Sequence, residues 1–274
     1  MMTSRPRARP LPDTNCFAKK SDIRLVCTIH AGEAIVRALA AEGVRGITIA
    51  DRNEGLAREV AASIQGEFAC SVHVVAADLS VASECERTIQ EHDATFGRVD
   101  GLINCAASTA RGTWDETSAN FFDEMMAINC RAPFLLMQGA GHLMEREGHG
   151  GAVVNIGSVH AHGGMPKLCA YAASKGALLT LTRNFAFAKR RARIRANYIA
   201  LGWTATPAEH RTMVEYEGMG EGWLERVADP SHPMGRIFRP WEVARLVVHL
   251  VSDEAQLHTA TCIDLHEKFF GTWE

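Results

Sequence analysis

Short apolar runs of the kind that form buried strands alternate along this chain with longer segments of helical periodicity, and this alternation constrains the fold more than any other feature. The strand candidates are residues 23–28, 47–50, 72–76, 101–104, 152–156, 194–200 and 261–265. Repeated strand and helix units are typical of a parallel sheet that carries helices on both faces. We therefore predict an α/β fold with a doubly wound parallel sheet of about seven strands.

The length of the chain suits one domain. A chain of 274 residues can bury a substantial core as a single α/β unit. We assign residues 21–274 to this domain and residues 1–20, rich in Arg and Pro, to an extended or disordered tail. A targeting address or a partner-binding arm is the alternative for the tail, which lacks the apolar segment of a secretory signal.

Charge and cysteine content exclude several classes of partner. With 29 Lys and Arg against 32 Asp and Glu, the net charge of -3 predicts neither nucleic acid nor an anionic membrane as partner. No apolar run reaches the roughly 18 residues of a membrane span. The 8 cysteines include no C-x-x-C pair, which indicates buried thiols in a reducing, cytoplasmic compartment and neither a disulfide framework nor a metal site.

Three polar side chains in one stretch point to acid–base chemistry. Tyr171 and Lys175 are four residues apart, so on a helix they share one face, and an ammonium beside a phenol lowers the phenol pKa. Ser158 follows a strand candidate, at the edge where open α/β sheets bind their ligands. Together the three groups predict a proton donor that works near neutral pH. A tyrosine and a lysine at this spacing are also common in helices that have no catalytic function.

The same residues resemble the motif of the short-chain dehydrogenase/reductase family, in which Ser and Tyr-x-x-x-Lys follow an Asn on the previous helix, here Asn129. The resemblance spans about residues 22–266 and is highly specific in its second half. Details of that half look like the sugar and polyol dehydrogenase branch, with acyl-chain or steroid substrates as the alternative. It implies a Rossmann-like fold and hydride transfer between a nicotinamide cofactor and a secondary alcohol or its ketone or lactone. Tyr171 would exchange the proton, and Ser158 would bind the reacting oxygen. Lys175 would lower the phenol pKa and hold the nicotinamide ribose, and Asn129 would hold a relay water.

The turn between the first strand and helix candidates departs from the family pattern. Relatives carry three glycines in T-G-x-x-x-G-x-G, whereas here only residues 29–31 separate Thr28 from Gly32. The resemblance places the cofactor phosphates against Thr28 and Gly32. His30 either offers a ring N–H to a phosphate or fills space. The short loop predicts that phosphate binding is weakened or rebuilt.

Two adjacent residues bear on the choice of cofactor. Asp51 ends the second strand candidate, 19 residues after Gly32, where a carboxylate binds the adenosine ribose hydroxyls. It favours NAD, because a 2′-phosphate would meet its negative charge. Arg52 leaves NADP as the alternative cofactor, and a helix N-cap is the structural alternative for Asp51.

The resemblance supplies the remaining site residues. It implies that the cofactor also contacts Asp78, Leu79, Asn104, Ala106, Gly202, Thr204 and Thr206, together with Tyr171 and Lys175. It places the substrate at Ser158, His160, Tyr171 and Trp203, under a lid at about residues 204–233 that excludes water. A structural role is the alternative for His160, and the lid aromatics are equally consistent with core residues.

These assignments predict an enzyme with a small-molecule alcohol or ketone substrate, and the family implies a homo-oligomer, either a dimer or a tetramer. The rival hypothesis is a non-catalytic relative that serves as an interaction module. It rests on the short glycine loop and on Ala107, which replaces a family glycine, because both changes would impair cofactor binding. Retention of all four catalytic-type residues favours the enzyme.

Overall fold

Seven parallel strands form the central sheet of the structure, a computed structural model that describes residues 23–27, 31–227 and 235–266. The strands are β1 (Ile23–Cys27), β2 (Gly46–Asp51), β3 (Ser71–Ala76), β4 (Gly101–Asn104), β5 (Gly151–Ile156), β6 (Ile194–Leu201) and β7 (Cys262–Leu265). Their spatial order is β3-β2-β1-β4-β5-β6-β7, with every pairing parallel. The order reverses between β1 and β4, so the carboxyl ends of these strands border the crevice where such sheets bind ligands.

Nine α-helices in the described ranges surround this sheet. They are α1 (Ala31–Ala41), α2 (Glu54–Glu67), α3 (Ala82–Phe96), α4 (Ala119–Met126), α5 (Ala132–Glu147), α6 (Cys169–Lys189), α7 (Pro207–Arg211), α8 (Trp223–Val227) and α9 (Pro240–Val251). Apolar residues of α1, α2 and α9 form one core with the sheet, and those of α3, α5 and α6 form a core on the other face. Leu102 and Ile103 enter opposite cores, because successive side chains of a strand point to opposite faces. The predicted doubly wound, single-domain α/β fold is therefore confirmed.

The helical segment that contains Asn129 changes its winding at that residue. α4 begins after Ser118, whose hydroxyl accepts a hydrogen bond from the Phe121 amide at 3.2 Å. A π-helical turn, Ala127–Arg131, then joins α4 to α5. Asn129 lies within this turn and is fully buried. π-helical turns of this kind are frequent at functional sites.

The predicted lid is described as far as residue 227 and contains α7, a π-helical turn at Thr212–Tyr216, and α8. Met213, Trp223 and Ile237 are buried together in a small apolar core. The Trp223 ring stacks on the Trp203 ring, with centroids 5.4 Å apart. Trp223 is therefore a core residue, as the alternative interpretation of the lid aromatics proposed.

Several sequence-based predictions fall on residues outside the described ranges. These are the tail at residues 1–20, the short loop at residues 28–30 and the end of the lid at residues 228–233. Within the ranges that the structure covers, no helix combines the length and apolar character needed to cross a membrane.

Candidate active site

A cavity of about 670 Å³ opens at the carboxyl edge of the sheet, beside β5 and β6. Its wall includes the four residues predicted for the substrate, Ser158, His160, Tyr171 and Trp203, and three predicted for the cofactor, Gly202, Thr204 and Thr206. Residues from separate segments of the chain thus meet around one space that is large enough for a small molecule.

Ser158 lies just beyond the carboxyl end of β5, where Tyr198 of β6 holds its backbone. The Tyr198 hydroxyl accepts a hydrogen bond from the Ser158 amide at 2.9 Å. It also lies 3.3 Å from the Ser158 carbonyl oxygen and 3.2 Å from the Lys175 carbonyl oxygen, to which it can donate. Glycine is required at position 157, because a Cβ on Gly157 would lie 1.7 Å from Tyr198 Cζ. One buried phenol therefore fixes the serine backbone against α6.

The Tyr171 side chain lies on the cavity wall, partly exposed, together with the Ser158 side chain. Burial of the hydroxyl raises the pKa of Tyr171 to about 12. The neighbouring Ser158 side chain lowers the pKa of Tyr171 and offsets only part of this rise. The phenol is therefore protonated at neutral pH.

Lys175 lies one helical turn from Tyr171, but its ammonium is hydrogen-bonded to the backbone of β5 and not to the phenol. Nζ donates a hydrogen bond to the Ile156 carbonyl oxygen at 3.0 Å and lies 5.8 Å from the centroid of the Tyr171 ring. Lys175 is buried, and the loss of hydration lowers its pKa to about 8. The prediction that this ammonium lowers the Tyr171 pKa is wrong, because burial dominates at both groups and favours the neutral form of each.

Asn129 is held in a network that reaches the backbone of Tyr171. Its side-chain oxygen accepts a hydrogen bond from the Ser108 amide at 2.8 Å, and its nitrogen donates to the Ser108 carbonyl at 2.9 Å. The same nitrogen donates to the Ser174 hydroxyl at 3.0 Å, and Ser174 donates to the Tyr171 carbonyl at 2.7 Å. Asn129 thus ties the loop after β4 to α6, and its role with a relay water stays a prediction.

His160 shares the cavity wall with Tyr171, and their ring centroids are 6.4 Å apart. Burial lowers the pKa of His160, and Arg111 lowers it further. The imidazole is therefore neutral near pH 7 and can donate or accept a hydrogen bond.

Asp51 and Arg52 lie at the carboxyl end of β2. The Asp51 carboxylate accepts a hydrogen bond from the Asn53 amide at 2.7 Å. Asn53 is the N-cap of α2, where its side chain accepts from the Leu56 amide at 3.1 Å. The alternative assignment of Asp51 as the N-cap is therefore wrong, although Asp51 supports the turn that leads into the helix. Arg52 is exposed beside it.

Asp78 and Leu79 follow β3 at the same edge of the sheet. The Asp78 carboxylate accepts hydrogen bonds from the Ser80 amide at 2.9 Å and the Ser80 hydroxyl at 2.7 Å, and these lower its pKa. Asp78 is exposed and Leu79 is buried. The Asp78 carboxylate is therefore ionised near neutral pH and reachable from solvent.

Asn104 ends β4 beside the crevice. Its side-chain nitrogen donates to Asn155 Oδ1 at 2.8 Å, whereas its own Oδ1 is buried with no hydrogen-bond partner among the described residues. A buried acceptor without a donor costs about 1–3 kcal/mol, so this oxygen suits a donor supplied by a ligand. Ala106, two residues further on, is partly buried.

The residues at this edge fit a nicotinamide dinucleotide. Asp51 offers a carboxylate for ribose hydroxyls, Asn104 Oδ1 has no donor within the described ranges, and Lys175 brings a buried ammonium to the carboxyl end of β5. Gly32 lies in the first turn of α1, where backbone amides suit a phosphate. The predicted contacts Thr28 and His30 lie outside the described residues.

The two lid threonines have local partners. The Thr206 hydroxyl caps α7 by accepting from the Glu209 amide at 3.1 Å, and the Thr204 hydroxyl donates to the Gly202 carbonyl at 3.2 Å. Gly202 also packs closely against His266, whose Cβ would lie 2.7 Å from a Cβ at position 202. Gly202, Thr204 and Thr206 therefore line the cavity and are also fixed in place by these local contacts.

A set of charged residues on the cavity wall has no counterpart in the sequence-based prediction. Arg111 Nε lies 2.6 Å from Glu217 Oε1, and Arg111 Nη2 lies 3.7 Å from Glu209 Oε1. The Trp203 indole donates to Glu209 Oε1 at 2.8 Å, and Lys167 Nζ lies 3.1 Å from Glu217 Oε2. The partners in the ion pairs are far apart in the sequence, so no local spacing identifies them. They link the lid to the body of the domain.

Tyr198 and Ser174 also escaped the sequence analysis. Tyr198 stands inside an apolar strand candidate, and a buried tyrosine needs a partner for its hydroxyl. That requirement is the signal that could have identified it. Ser174 lies between Tyr171 and Lys175 in an otherwise small-residue stretch and gave no comparable signal.

Known proteins resemble this chain along most of its length. Residues 31–265 match a family model described as enoyl-(acyl carrier protein) reductase. The chain is 31% identical over 229 residues to 2-(S)-hydroxypropyl-CoM dehydrogenase 3 of Xanthobacter autotrophicus, which covers 83% of this chain and 88% of that protein. It is 29% identical over 230 residues to a sorbitol dehydrogenase of Cereibacter sphaeroides, covering 82% and 87% of the two chains. The structure of L-sorbose reductase from Gluconobacter frateurii shares the fold, with a TM-score of 0.87 at 23% identity over 95% of this chain and 100% of that one.

Proposed function

The chain belongs to the short-chain dehydrogenase/reductase family of NAD(P)-dependent oxidoreductases, and we propose that it interconverts a secondary alcohol of the sugar or polyol class with its ketone or lactone. The observation that carries the proposal is that the Ser158 and Tyr171 side chains line the same cavity, with buried Lys175 one helical turn away. This arrangement supports proton transfer at an oxygen that sits between the serine and the tyrosine.

Tyr171 is the residue that we assign to proton transfer. In ketone reduction the phenol gives its proton to the carbonyl oxygen, while the Ser158 hydroxyl donates a hydrogen bond to the same oxygen. A bound nicotinamide would supply the hydride in this direction and accept it in the reverse one. Because the pKa of Tyr171 is about 12, the proton-donating form is present at neutral pH. Alcohol oxidation requires the phenolate, so higher pH favours that direction.

In this proposal Lys175 and Asn129 support the proton transfer by Tyr171. The Lys175 ammonium binds the ribose hydroxyls next to the nicotinamide, and its pKa of about 8 allows it to release a proton toward solvent. Asn129 positions α6 through Ser174 and holds the water that relays this proton.

We propose NAD as the cofactor, with NADP as the alternative. The carboxylate of Asp51 favours a free ribose diol over a 2′-phosphate, whereas exposed Arg52 would attract the phosphate. The remaining contacts proposed for the cofactor are Thr28, His30, Gly32, Asp78, Leu79, Asn104, Ala106, Gly202, Thr204 and Thr206.

Polar side chains on the wall of a mostly apolar cavity support a hydroxylated substrate. Arg111, Glu209 and Glu217 line it together with His160 and Trp203, and these groups can hydrogen-bond several hydroxyls. The two relatives compared above are named for different alcohols. The proposed substrate class therefore rests on the residues that line the cavity.

The lid, the assembly and the compartment belong to the same proposal. We assign residues 204–233 to a lid over the substrate, the whole of residues 21–274 to one catalytic domain, and residues 1–20 to an extended tail. We propose a cytoplasmic homo-oligomer, either a dimer or a tetramer, and sedimentation velocity measures which of the two forms.

A screen of sugars, polyols and ketones with NAD and NADP tests the activity. The ratio of kcat/KM values for the two cofactors tests the choice of NAD. Tyr171→Phe should reduce turnover by several orders of magnitude, because it removes the transferred proton, while calorimetry shows cofactor affinity close to that of the wild type. Turnover retained in Tyr171→Phe would overturn the assigned role, and no binding of either cofactor would favour a non-catalytic module.

A further inference from the structure

Three potential metal ligands lie close together at β7. His162 Nε2 and Asp264 Oδ1 are 3.0 Å apart, and Cys262 Sγ lies 3.8 Å from each of them. All three side chains are at least partly exposed, so solvent and ions can reach them. No step assigned to the proton-transfer site uses this cluster.

The fold brings the cluster together from distant parts of the chain. Cys262 and Asp264 are two residues apart on β7, the last strand in the sheet order, so their side chains point to the same face of the sheet. His162 ends the 3₁₀ turn Val159–His162 that follows Ser158, and it is 100 residues from Cys262 in the sequence. This separation explains why the cysteine spacing predicts no metal site.

The donor atoms suit zinc. An imidazole nitrogen, a thiolate and a carboxylate are all common zinc ligands, whereas calcium and magnesium prefer sites made of oxygen alone. With bonds of about 2.0 Å to nitrogen and oxygen and about 2.3 Å to sulfur, neighbouring ligand atoms in a tetrahedral zinc site lie about 3.3 to 3.5 Å apart. The distances of 3.0 and 3.8 Å in the cluster bracket these values.

We propose that His162, Cys262 and Asp264 bind one Zn²⁺, with water at the fourth position. On binding, the Cys262 thiol loses its proton to solvent and the thiolate forms the metal bond, with no change of oxidation state. The ion would join β7 to the turn after Ser158. In that turn the His160 amide donates to Ser158 Oγ at 3.2 Å, so the metal would brace the cavity wall.

Metal titration of the full-length, chelator-treated protein tests the proposal. Competition against a chromophoric chelator should give a stoichiometry of one Zn²⁺ per protein chain. The thermal unfolding temperature should rise when Zn²⁺ is added. Co²⁺ in place of Zn²⁺ should produce the near-ultraviolet charge-transfer band of a cobalt–thiolate bond. Cys262→Ala should abolish this band, and His162→Ala and Asp264→Asn should each weaken Zn²⁺ affinity by about tenfold or more.

Matched variants elsewhere separate this site from adventitious binding. Cys130→Ala and His249→Ala remove a cysteine and a histidine outside the cluster, and both should keep the charge-transfer band and the affinity. The proposal is overturned if the wild type takes up no Zn²⁺ at a large molar excess. It is equally overturned if stoichiometry and affinity are the same in Cys262→Ala, His162→Ala and Asp264→Asn as in the wild type, with circular dichroism showing each variant folded.

Discussion

Among single residues, Tyr198 controls much of the site through one hydroxyl group. It accepts from the Ser158 amide and lies within hydrogen-bonding distance of the Ser158 and Lys175 carbonyl oxygens. Tyr198→Phe keeps the packed ring but leaves the Ser158 amide without its partner. We expect the free energy of unfolding to fall by about 1–3 kcal/mol and kcat to fall several-fold. Urea unfolding and steady-state kinetics measure the two effects.

Tyr171→Phe is the matched comparison for this prediction. This substitution also removes a phenolic hydroxyl, but from a partly exposed tyrosine, so we expect a smaller loss of stability. We expect a large loss of kcat, because Tyr171 is the proposed proton donor. A Tyr198→Phe protein with wild-type kcat would show that the Tyr198 hydroxyl serves stability alone.

The buried ammonium of Lys175 predicts a pH-dependent stability. Its folded-state pKa is about 8, against 10.5 for an ordinary lysine. Between these values the unfolded chain holds more protons, so the free energy of unfolding rises with pH across this window. Below about pH 8 both states are protonated, and the cost of burying the charge is fully present.

Lys175→Met provides the reference for this slope. The difference in unfolding free energy between wild type and Lys175→Met should move in favour of the wild type from pH 8 to pH 10, by at most about 1.4 kcal/mol per pH unit. Denaturant unfolding at closely spaced pH values measures it. Above pH 10 the raised pKa of Tyr171 lowers the free energy of unfolding of each protein, because the unfolded chain loses the phenol proton first. The Tyr171 contribution is common to both proteins, so the comparison is made between pH 8 and pH 10. A flat difference between pH 8 and pH 10 would contradict the lowered pKa of Lys175.

Among the elements, β7 is preceded by a residue in a strained conformation. Ala260 has a φ of 59°, in the left-handed region that costs a residue with a side chain about 1–2 kcal/mol. Its amide nevertheless donates to the Ala196 carbonyl at 2.8 Å, which holds it against β6. Ala260→Gly should therefore raise the free energy of unfolding by about 1 kcal/mol, measured by denaturant unfolding. Ala41→Gly, at the exposed end of α1, should lower it by up to about 1 kcal/mol. The same sign in both variants would contradict the strain at Ala260.

The lid is attached to the domain by ion pairs of Glu217 with Arg111 and Lys167. Glu217→Gln removes the charge but keeps the size of the side chain. Because partly exposed pairs contribute about 0.2–1 kcal/mol, we expect the KM for substrate to rise up to about fivefold, with cofactor affinity unchanged. The rise of KM with added salt should be smaller in Glu217→Gln than in the wild type. Equal salt dependence in the two proteins would show that these pairs do not hold the lid.

For the whole molecule, the sequence predicted the architecture better than the electrostatics. Strand and helix periodicity gave the seven strands and the helices between them, because these patterns depend on neighbours in the chain. The Tyr171 pKa could not be predicted in this way. It depends on how deeply the phenol is buried and on where the Lys175 ammonium points, and both are set by tertiary packing. The link between Arg111 and Glu217 escaped prediction for the same reason.

Because a single phenol from β6 joins Ser158 to α6, the back of the reaction chamber tolerates few amino-acid changes, and Gly157 beside it has no room for even a methyl group. The front is built differently, since Met165 and Met219 line the cavity with flexible, partly exposed side chains. A mutant library designed to broaden the range of accepted alcohols should therefore randomise the methionine side of the cavity and leave the tyrosine side unchanged.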